Sequence, residues 1–143
     1  MYDNILVPTD GSDTAAKAVE HAIDLAEQYG ATLHVLSVVD PTRFSTVGVD
    51  PSSVLSAVEK GSREAVDRVE ADAEAAGLRV ETTVVRGRPA ETITTYATDN
   101  DIDLVVMGTH GRTGLDHFLL GSVTERVVRT ASVPVLTVRL DDE

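Results

Sequence analysis

The 143-residue chain has no cysteine and no tryptophan. Without thiols there is no disulfide, no thiolate nucleophile and no zinc–thiolate site. The four histidines are scattered and do not form the H-E-x-x-H spacing of a zinc site. No apolar run approaches the roughly 18 residues that a membrane span needs, and the first residues lack the basic stretch of a signal peptide. We therefore expect a cytoplasmic protein that does not use redox or zinc chemistry.

Positive charge is also scarce, because 12 Lys and Arg stand against 24 Asp and Glu, a formal net charge of −12. Sequence-independent binding to nucleic acid depends on basic residues that neutralise phosphates, so we expect neither a nucleic-acid nor a membrane partner. Only Lys17 and Lys60 are lysines. An acidic, lysine-poor surface is one way to stay soluble in strong salt, which screens self-repulsion. The composition favours a halophilic protein, and an ordinary acidic protein that uses its charge for solubility is the alternative.

Hydrophobic residues make up 42% of the chain, enough for a packed core, and they fall into two alternating kinds of segment. Short apolar or β-branched runs predict strands, and apolar residues at helical spacing predict helices. Ser12 or Asp13 is the expected N-cap of the first helix and Gly30 its expected C-terminal stop. The predicted strands are 4–8, 32–39, 79–86, 103–107 and 133–139, and the predicted helices follow Ser12, run from about Leu55 to Ala73, begin at Pro89, and span 122–130.

This alternation predicts a single-domain, doubly wound, five-stranded parallel sheet of Rossmann-like type with helices on both faces. Ligands of such sheets bind beyond the carboxyl ends of the strands, where the strand order reverses. The loops after the first, second and fourth strands are therefore the expected site. Asp40 to Ser53 has two prolines and no apolar period, which predicts a long, lid-like connection.

A glycine-rich segment, Gly108 to Ser122, follows the fourth predicted strand and leads straight into a helix. Glycines let the backbone approach a ligand closely, and a helix N-terminus offers N–H groups and a partial positive charge. Together they are typical of a phosphate site. The alternative is that Gly108 and Gly111 only permit a turn and that Gly121-Ser122 is only a helix cap.

The spacing of Gly108, Gly111 and Gly121-Ser122 is G-x2-G-x9-G-[ST], which resembles the ATP-binding branch of the universal stress protein family. Residues 5–12 resemble the first strand and turn of that family, and residues 132–136 resemble its last strand. The resemblance covers essentially the whole chain. It implies one universal stress protein domain over residues 1–143 with an adenine nucleotide alpha hydrolase-like fold, which binds ATP, commonly dimerises through the last strand and acts in stress responses.

By this resemblance Asp10 contacts the ribose or adenine, with Pro8 and Thr9 beside it, and the end of the second strand forms an apolar wall for adenine. For Asp10 the alternative is a turn residue next to Gly11. The implied nucleotide-binding residues are Pro8, Thr9, Asp10, Val38, Val39, Met107, Gly108, Thr109, His110, Gly111, Arg112, Gly121, Ser122, Val123 and Thr124.

Arg112 is the only basic residue of the glycine-rich segment and the expected partner of a β- or γ-phosphate, with a solvated surface arginine as the alternative. A helix N-terminus supplies only about 0.3–2 kcal/mol, whereas micromolar affinity needs about 8 kcal/mol. We therefore expect adenine burial and a bound Mg²⁺ to contribute as well. His110 and His117 have no obvious orienting carboxylate apart from Asp116, so a catalytic role is not expected for them.

Other nucleotide chemistries lack their motifs, since the chain has neither G-x-x-x-x-G-K-[ST] nor G-x-G-x-x-G. A signalling receiver is disfavoured because Arg86-Gly87-Arg88 stands where an acceptor Asp is needed. A flavin carrier is disfavoured because flavin stacking normally uses aromatic side chains, and nearly all of those in this chain are placed away from the first loop. Two classes remain: a nucleotide-binding regulator with slow or no hydrolysis, and an ATP-using enzyme, either adenylylating or an ATPase. The lack of a second catalytic constellation favours the regulator, and the intact glycine spacing opposes a dimeric interaction module without nucleotide.

Assembly is predicted from the last strand, in which Val133, Val135, Leu136 and Val138 are apolar. As the last strand in order it should lie at a sheet edge, and apolar edges normally pair. We therefore expect a homodimer formed through this strand.

Overall fold

The computed structural model describes residues 1–43, 51–110 and 120–140. Strands and helices alternate along these ranges, as the sequence predicts, and the predicted doubly wound α/β fold is confirmed. The strands are β1 (Asn4–Pro8), β2 (Thr32–Val39), β3 (Val80–Arg86), β4 (Leu104–Gly108) and β5 (Val135–Val138). The helices are α1 (Asp13–Tyr29), α2 (Pro51–Ala75), α3 (Pro89–Asp99) and α4 (Ser122–Thr130).

All four strand pairs are parallel, and the order across the sheet is β3-β2-β1-β4-β5. The chain winds from β1 outward through β2 to β3 and then returns to β4 on the other side of β1. The strand order therefore reverses between β1 and β4. Their carboxyl ends border the crevice in which this class of sheet binds ligands.

Each face of the sheet is covered by two helices, which explains the continuous apolar runs of the strands. Ile5 and Val7 pack in a cluster with residues of α1 and α2, whereas Leu6, between them, packs with residues of α3 and α4. This is the alternation expected of a β-strand. None of the helices in the described ranges is long and apolar enough to cross a membrane.

The ends of α1 follow from local chemistry. The Ser12 side chain accepts a hydrogen bond from the N–H of Ala15 at 3.2 Å, as an N-cap should. Gly30 has φ of 65°, and its N–H bonds to the carbonyl of Ala26. This left-handed conformation suits glycine and ends the helix.

Several strand ends differ from the sequence prediction by one residue, and the starts of α2 and β5 differ by more. The predicted connection from Asp40 to Ser53 is shorter, because Pro41–Arg43 forms a 3₁₀ turn and α2 already begins at Pro51. A proline is well suited to the first position of a helix, where its missing N–H is not needed. Residues 44–50 lie outside the described ranges, so the lid prediction is not tested. Strand β5 begins at Val135 rather than Val133, after Pro134, which has no N–H to donate.

Candidate functional site

The turn from β1 into α1 forms one wall of the crevice. Side-chain oxygens within the turn accept hydrogen bonds from its backbone N–H groups. The N–H of Gly11 donates to the Thr9 hydroxyl at 3.1 Å, and the N–H of Ser12 donates to Oδ1 of Asp10 at 2.9 Å. Gly11 has φ of 81°, a conformation that favours glycine. The N–H of Thr9 bonds to the carbonyl of Leu36, which ties the turn to β2. Asp10 therefore does shape this turn, and its carboxylate lies exposed at the mouth of the crevice.

Gly108, the last residue of β4, is needed for close packing. A Cβ at this position would lie 2.5 Å from Cγ2 of Thr14 and 3.1 Å from the Thr14 backbone carbonyl. Any side chain would push the first turn of α1 away from the end of β4. The side chain of Met107 is buried in the cluster that faces α3 and α4, so only its backbone is available at the crevice.

The chain continues the sheet for one more residue beyond β4. The N–H of Thr109 donates to the carbonyl of Val138 at 3.0 Å, and the Thr109 side chain is buried. The Thr109 hydroxyl lies 3.1 Å from Nδ1 of His110. These bonds hold the start of the glycine-rich segment in a defined position.

The segment rejoins the described structure at the start of α4. Gly121 is the N-cap, with φ of −63° and ψ of 156°, and as a glycine it has no side chain with which to cap the helix. The first N–H groups of a helix have no carbonyl partner within it, so those of Ser122, Val123 and Thr124 are the donors that this terminus can present. The N–H of Gly121 instead donates to the carbonyl of Thr109 at 2.8 Å. The N-terminus of α4 is thereby held beside the carboxyl end of β4.

The end of β2 lies on the other side of β1. Val39 is almost fully buried, and its carbonyl accepts a hydrogen bond from the N–H of Gly87 at 2.9 Å. Val38 is partly buried and packs against the cluster facing α3 and α4. Because β2 and β4 flank β1, their ends are separated by two strand spacings, about 10 Å. The partly exposed Val38 is thus the better candidate of the two for an apolar contact.

A carboxylate follows at Asp40. Hydrogen bonds from the hydroxyl and the N–H of Thr42, at 2.7 and 3.0 Å, lower the pKa of Asp40, and the charges of Arg43 and Arg88 lower it further. These favour the ionised carboxylate, so this end of the crevice carries a fixed negative charge.

The structure brings most of the predicted site residues together at the carboxyl ends of the strands. Those on β1 and the following turn, on β4, and on the first turn of α4 line the reversal point, and those on β2 lie one strand away. Gly111 and Arg112 fall outside the described residues, as do Asp116 and His117, so their predicted roles are not tested. Sequence reasoning missed Thr14, whose only signal is its place in the first turn of the helix that follows the site.

A protein cage for a metal is absent from the part of the chain that the structure describes, where no three His, Cys, Asp or Glu residues are grouped to hold an ion. Asp10 is a carboxylate at the mouth of the crevice. Mg²⁺ commonly binds through one or two carboxylates together with substrate phosphates and water. The residues present are compatible with an ion held mainly by a nucleotide.

Comparison with known proteins agrees with this architecture. The model of the universal stress protein family matches residues 1–139. The universal stress protein MJ0531 of Methanocaldococcus jannaschii is 39% identical over 141 residues, which cover 97% of this chain and 83% of that protein. The structure of MJ0577, from the same organism, has a TM-score of 0.89 and 31% identity and covers 100% of this chain and 99% of its own. A universal stress protein solved in complex with cAMP has a TM-score of 0.68 and 32% identity, with 96% of this chain and 97% of its own covered. The chain therefore belongs to the universal stress protein family.

Proposed function

We propose that this protein binds ATP in the crevice at the carboxyl ends of β1, β2 and β4 and acts as a nucleotide-dependent regulator in stress responses. The observation that carries the proposal is the N-terminus of α4. Its N-cap is Gly121, a glycine without a side chain to cap the helix, and the bond from the Gly121 N–H to the Thr109 carbonyl holds this terminus at the reversal point of the sheet. Backbone N–H groups and the helix dipole at such a terminus favour an anion. The relative solved with cAMP supports an adenine nucleotide as the ligand.

Each part of ATP is assigned to the residues of the crevice whose chemistry suits it. The phosphates lie at the N–H groups of Ser122, Val123 and Thr124, with Gly111 and Arg112 as further proposed contacts. The ribose hydroxyls donate to the carboxylate of Asp10, which stands exposed at the mouth. The adenine lies toward Val38, two strand spacings from the end of β4.

The contacts at the site have to overcome the electrostatic repulsion between the acidic protein and the nucleotide. The chain carries a formal net charge of −12, and Asp10 and Asp40 add negative charge close to the proposed ligand. A polyphosphate is therefore repelled at long range and held only at contact distance. Mg²⁺ bound to the phosphates would reduce this repulsion, with phosphate oxygens and water as its main ligands.

The proposal assigns slow or no hydrolysis to this site. General base catalysis needs a titratable group within hydrogen-bond reach of the attacking water and a second group that orients it. The sequence has no second catalytic motif beside the glycine-rich segment, and this supports binding without rapid turnover. Nucleotide occupancy would then act on a protein partner in the cytoplasm, where ATP is abundant.

The proposed assembly is a homodimer formed through β5. This strand is at the edge of the sheet, and Leu136 within it and Leu140 after it are 38% and 44% exposed. On the adjacent α4, Val128 is 45% exposed. Pairing the β5 strands of two subunits would cover these side chains and would give hydrogen-bond partners to the backbone groups of the edge strand. Light scattering in high salt should show a dimer at about 10 µM protein, a concentration at which a stable dimer persists, and a monomer would refute this assembly.

The test of the function is direct identification of the ligand. The purified full-length protein should release adenine nucleotide on denaturation, as detected by mass spectrometry. Calorimetry on nucleotide-free protein should show Mg-ATP binding with one site per chain and weaker binding of Mg-GTP. Absence of binding to any adenine nucleotide by folded protein would reject the proposal and favour an interaction module.

A further inference from the structure

The Thr124 side chain carries a bond that the proposed phosphate contacts do not explain. Thr124 is the third residue of α4, and its side chain is buried at 4% exposure. Its hydroxyl donates to the carbonyl of Gly108 at 2.8 Å, a normal length for an O–H···O bond. The hydroxyl therefore points into the protein and onto the end of β4.

This bond and the one from Gly121 act on consecutive carbonyls. The carbonyl of Gly108 accepts from Thr124, and the carbonyl of Thr109 accepts from the N–H of Gly121. The first bond holds the third residue of α4 and the second holds its N-cap. Two attachment points fix the position of the terminus and also the direction in which its N–H groups point.

These two bonds form a clamp, and the carbonyls of Gly108 and Thr109 that accept them are themselves held in place. Gly108 is paired with Val138 in the sheet and packs against Thr14, and the N–H of Thr109 bonds to the carbonyl of Val138. The clamp thus ties α4 to the sheet directly, without relying on the segment between His110 and Leu120. It keeps the phosphate donors pre-arranged before any ligand arrives, which reduces the entropy lost on binding.

We infer that Thr124 is a positioning residue whose hydroxyl aims the N-terminus of α4 at the phosphates, so that the preference for phosphorylated nucleotide over nucleoside depends on it. The inference rests on the proposed ATP site. It predicts that loss of the hydroxyl weakens the phosphate contacts and leaves the contacts to adenine and ribose in place.

The test compares ATP with adenosine, each measured by competition against a fluorescent ATP analogue. Thr124→Val keeps the shape of the side chain and removes the donor. We expect its affinity for ATP to fall about tenfold, the loss of about one net hydrogen bond, with adenosine affinity unchanged. Thr124→Ser restores the donor and should restore the wild-type ATP-to-adenosine ratio. Thr130→Val, on the same helix, removes a hydroxyl that bonds to Arg126 away from the site, and should leave the ratio unchanged.

The outcomes separate this inference from the proposed function. If the wild-type protein binds no ATP, the proposed function fails. If the wild type binds ATP and folded Thr124→Val keeps the wild-type ratio, or loses both ligands equally, the positioning role is refuted while the site stands. Should Thr124→Val not fold, Thr124→Ala and Thr124→Ser carry the same comparison, with a lowered ratio expected for Ala alone.

Discussion

Replacing Gly121 by valine separates the fold from the proposed nucleotide site. Gly121 has φ of −63° and ψ of 156°, an extended conformation that valine adopts without strain. Glycine is a better N-cap than valine, so we expect the free energy of unfolding to fall by about 1 kcal/mol. This is small against the roughly 5–15 kcal/mol that stabilises a typical domain. The variant should therefore fold.

Binding should respond much more strongly than stability. A valine at the N-cap places an isopropyl group where the N–H donors of Ser122 and Val123 would meet the phosphates. Each hydrogen bond to a charged group contributes about 1.5–3 kcal/mol. Displacing the phosphates from two donors therefore costs about 3 kcal/mol or more, a loss of at least roughly 100-fold in affinity.

Calorimetry with Mg-ATP measures this loss, and circular dichroism checks the fold. The matched control is Gly61→Val, because Gly61 lies within α2 and a Cβ there would have no atom within 4 Å. The control should bind ATP like the wild type. Equal affinities for the wild type and folded Gly121→Val would remove the nucleotide from this end of α4, and an equal loss in the control would show that the effect is not local.

Three further outcomes are expected. Asp10→Ala should weaken ATP binding by about 1–3 kcal/mol, because it removes the ribose acceptor as well as the turn bond to Ser12. Asp10→Asn keeps an oxygen that can accept the turn bond, so calorimetry on both variants separates the loss of the ribose contact from the loss of the turn bond. Burial lowers the pKa of His34, although Glu81 opposes this, so the neutral ring is favoured in the fold. The unfolded state then binds more protons as the pH falls through the usual histidine value of about 6.5. Denaturant titrations between about pH 7.5 and 5.5 should show a wild-type stability that decreases toward acid more steeply than that of His34→Gln, and parallel curves would refute the assignment. Finally, if the charge of −12 is a salt adaptation, the melting temperature should rise from low to molar KCl, and a flat or falling curve would reject it.

The basis of the pH prediction is a polar cluster in which the buried His34 of β2 contacts the partly buried Asn4 of β1 and Tyr96 of α3. The Asn4 side-chain oxygen lies 3.1 Å from Nε2 of His34, and the Tyr96 hydroxyl lies 2.8 Å from Nδ1. With Nε2–H donating to Asn4, Nδ1 accepts from Tyr96, which is the neutral tautomer. Protonation would place a second donor opposite the tyrosine O–H and disrupt this arrangement.

Much of the secondary structure could be predicted from the sequence because its signals are local. The apolar run 4–8, the cap at Ser12 and the left-handed stop at Gly30 each depend on neighbouring residues, and each is found where it was predicted. The glycine spacing likewise indicated the family, since the spacing of residues in a motif is a property of the chain alone. The less accurate ends, at Pro51 and Val135, are those where a proline sets the boundary.

The tertiary structure alone decided what these residues touch. Glycine at position 108 was predicted to allow close approach of a ligand, whereas its absent side chain makes room for Thr14. Thr124 was predicted to offer its N–H, and its hydroxyl was found on the Gly108 carbonyl, 16 residues away in the chain. Met107 is predicted to contact the nucleotide, but its side chain is buried in the cluster that faces α3 and α4. Each outcome depends on which face a side chain occupies and which distant segment lies against it, and these follow from the strand order and helix packing of the whole chain rather than from local pattern.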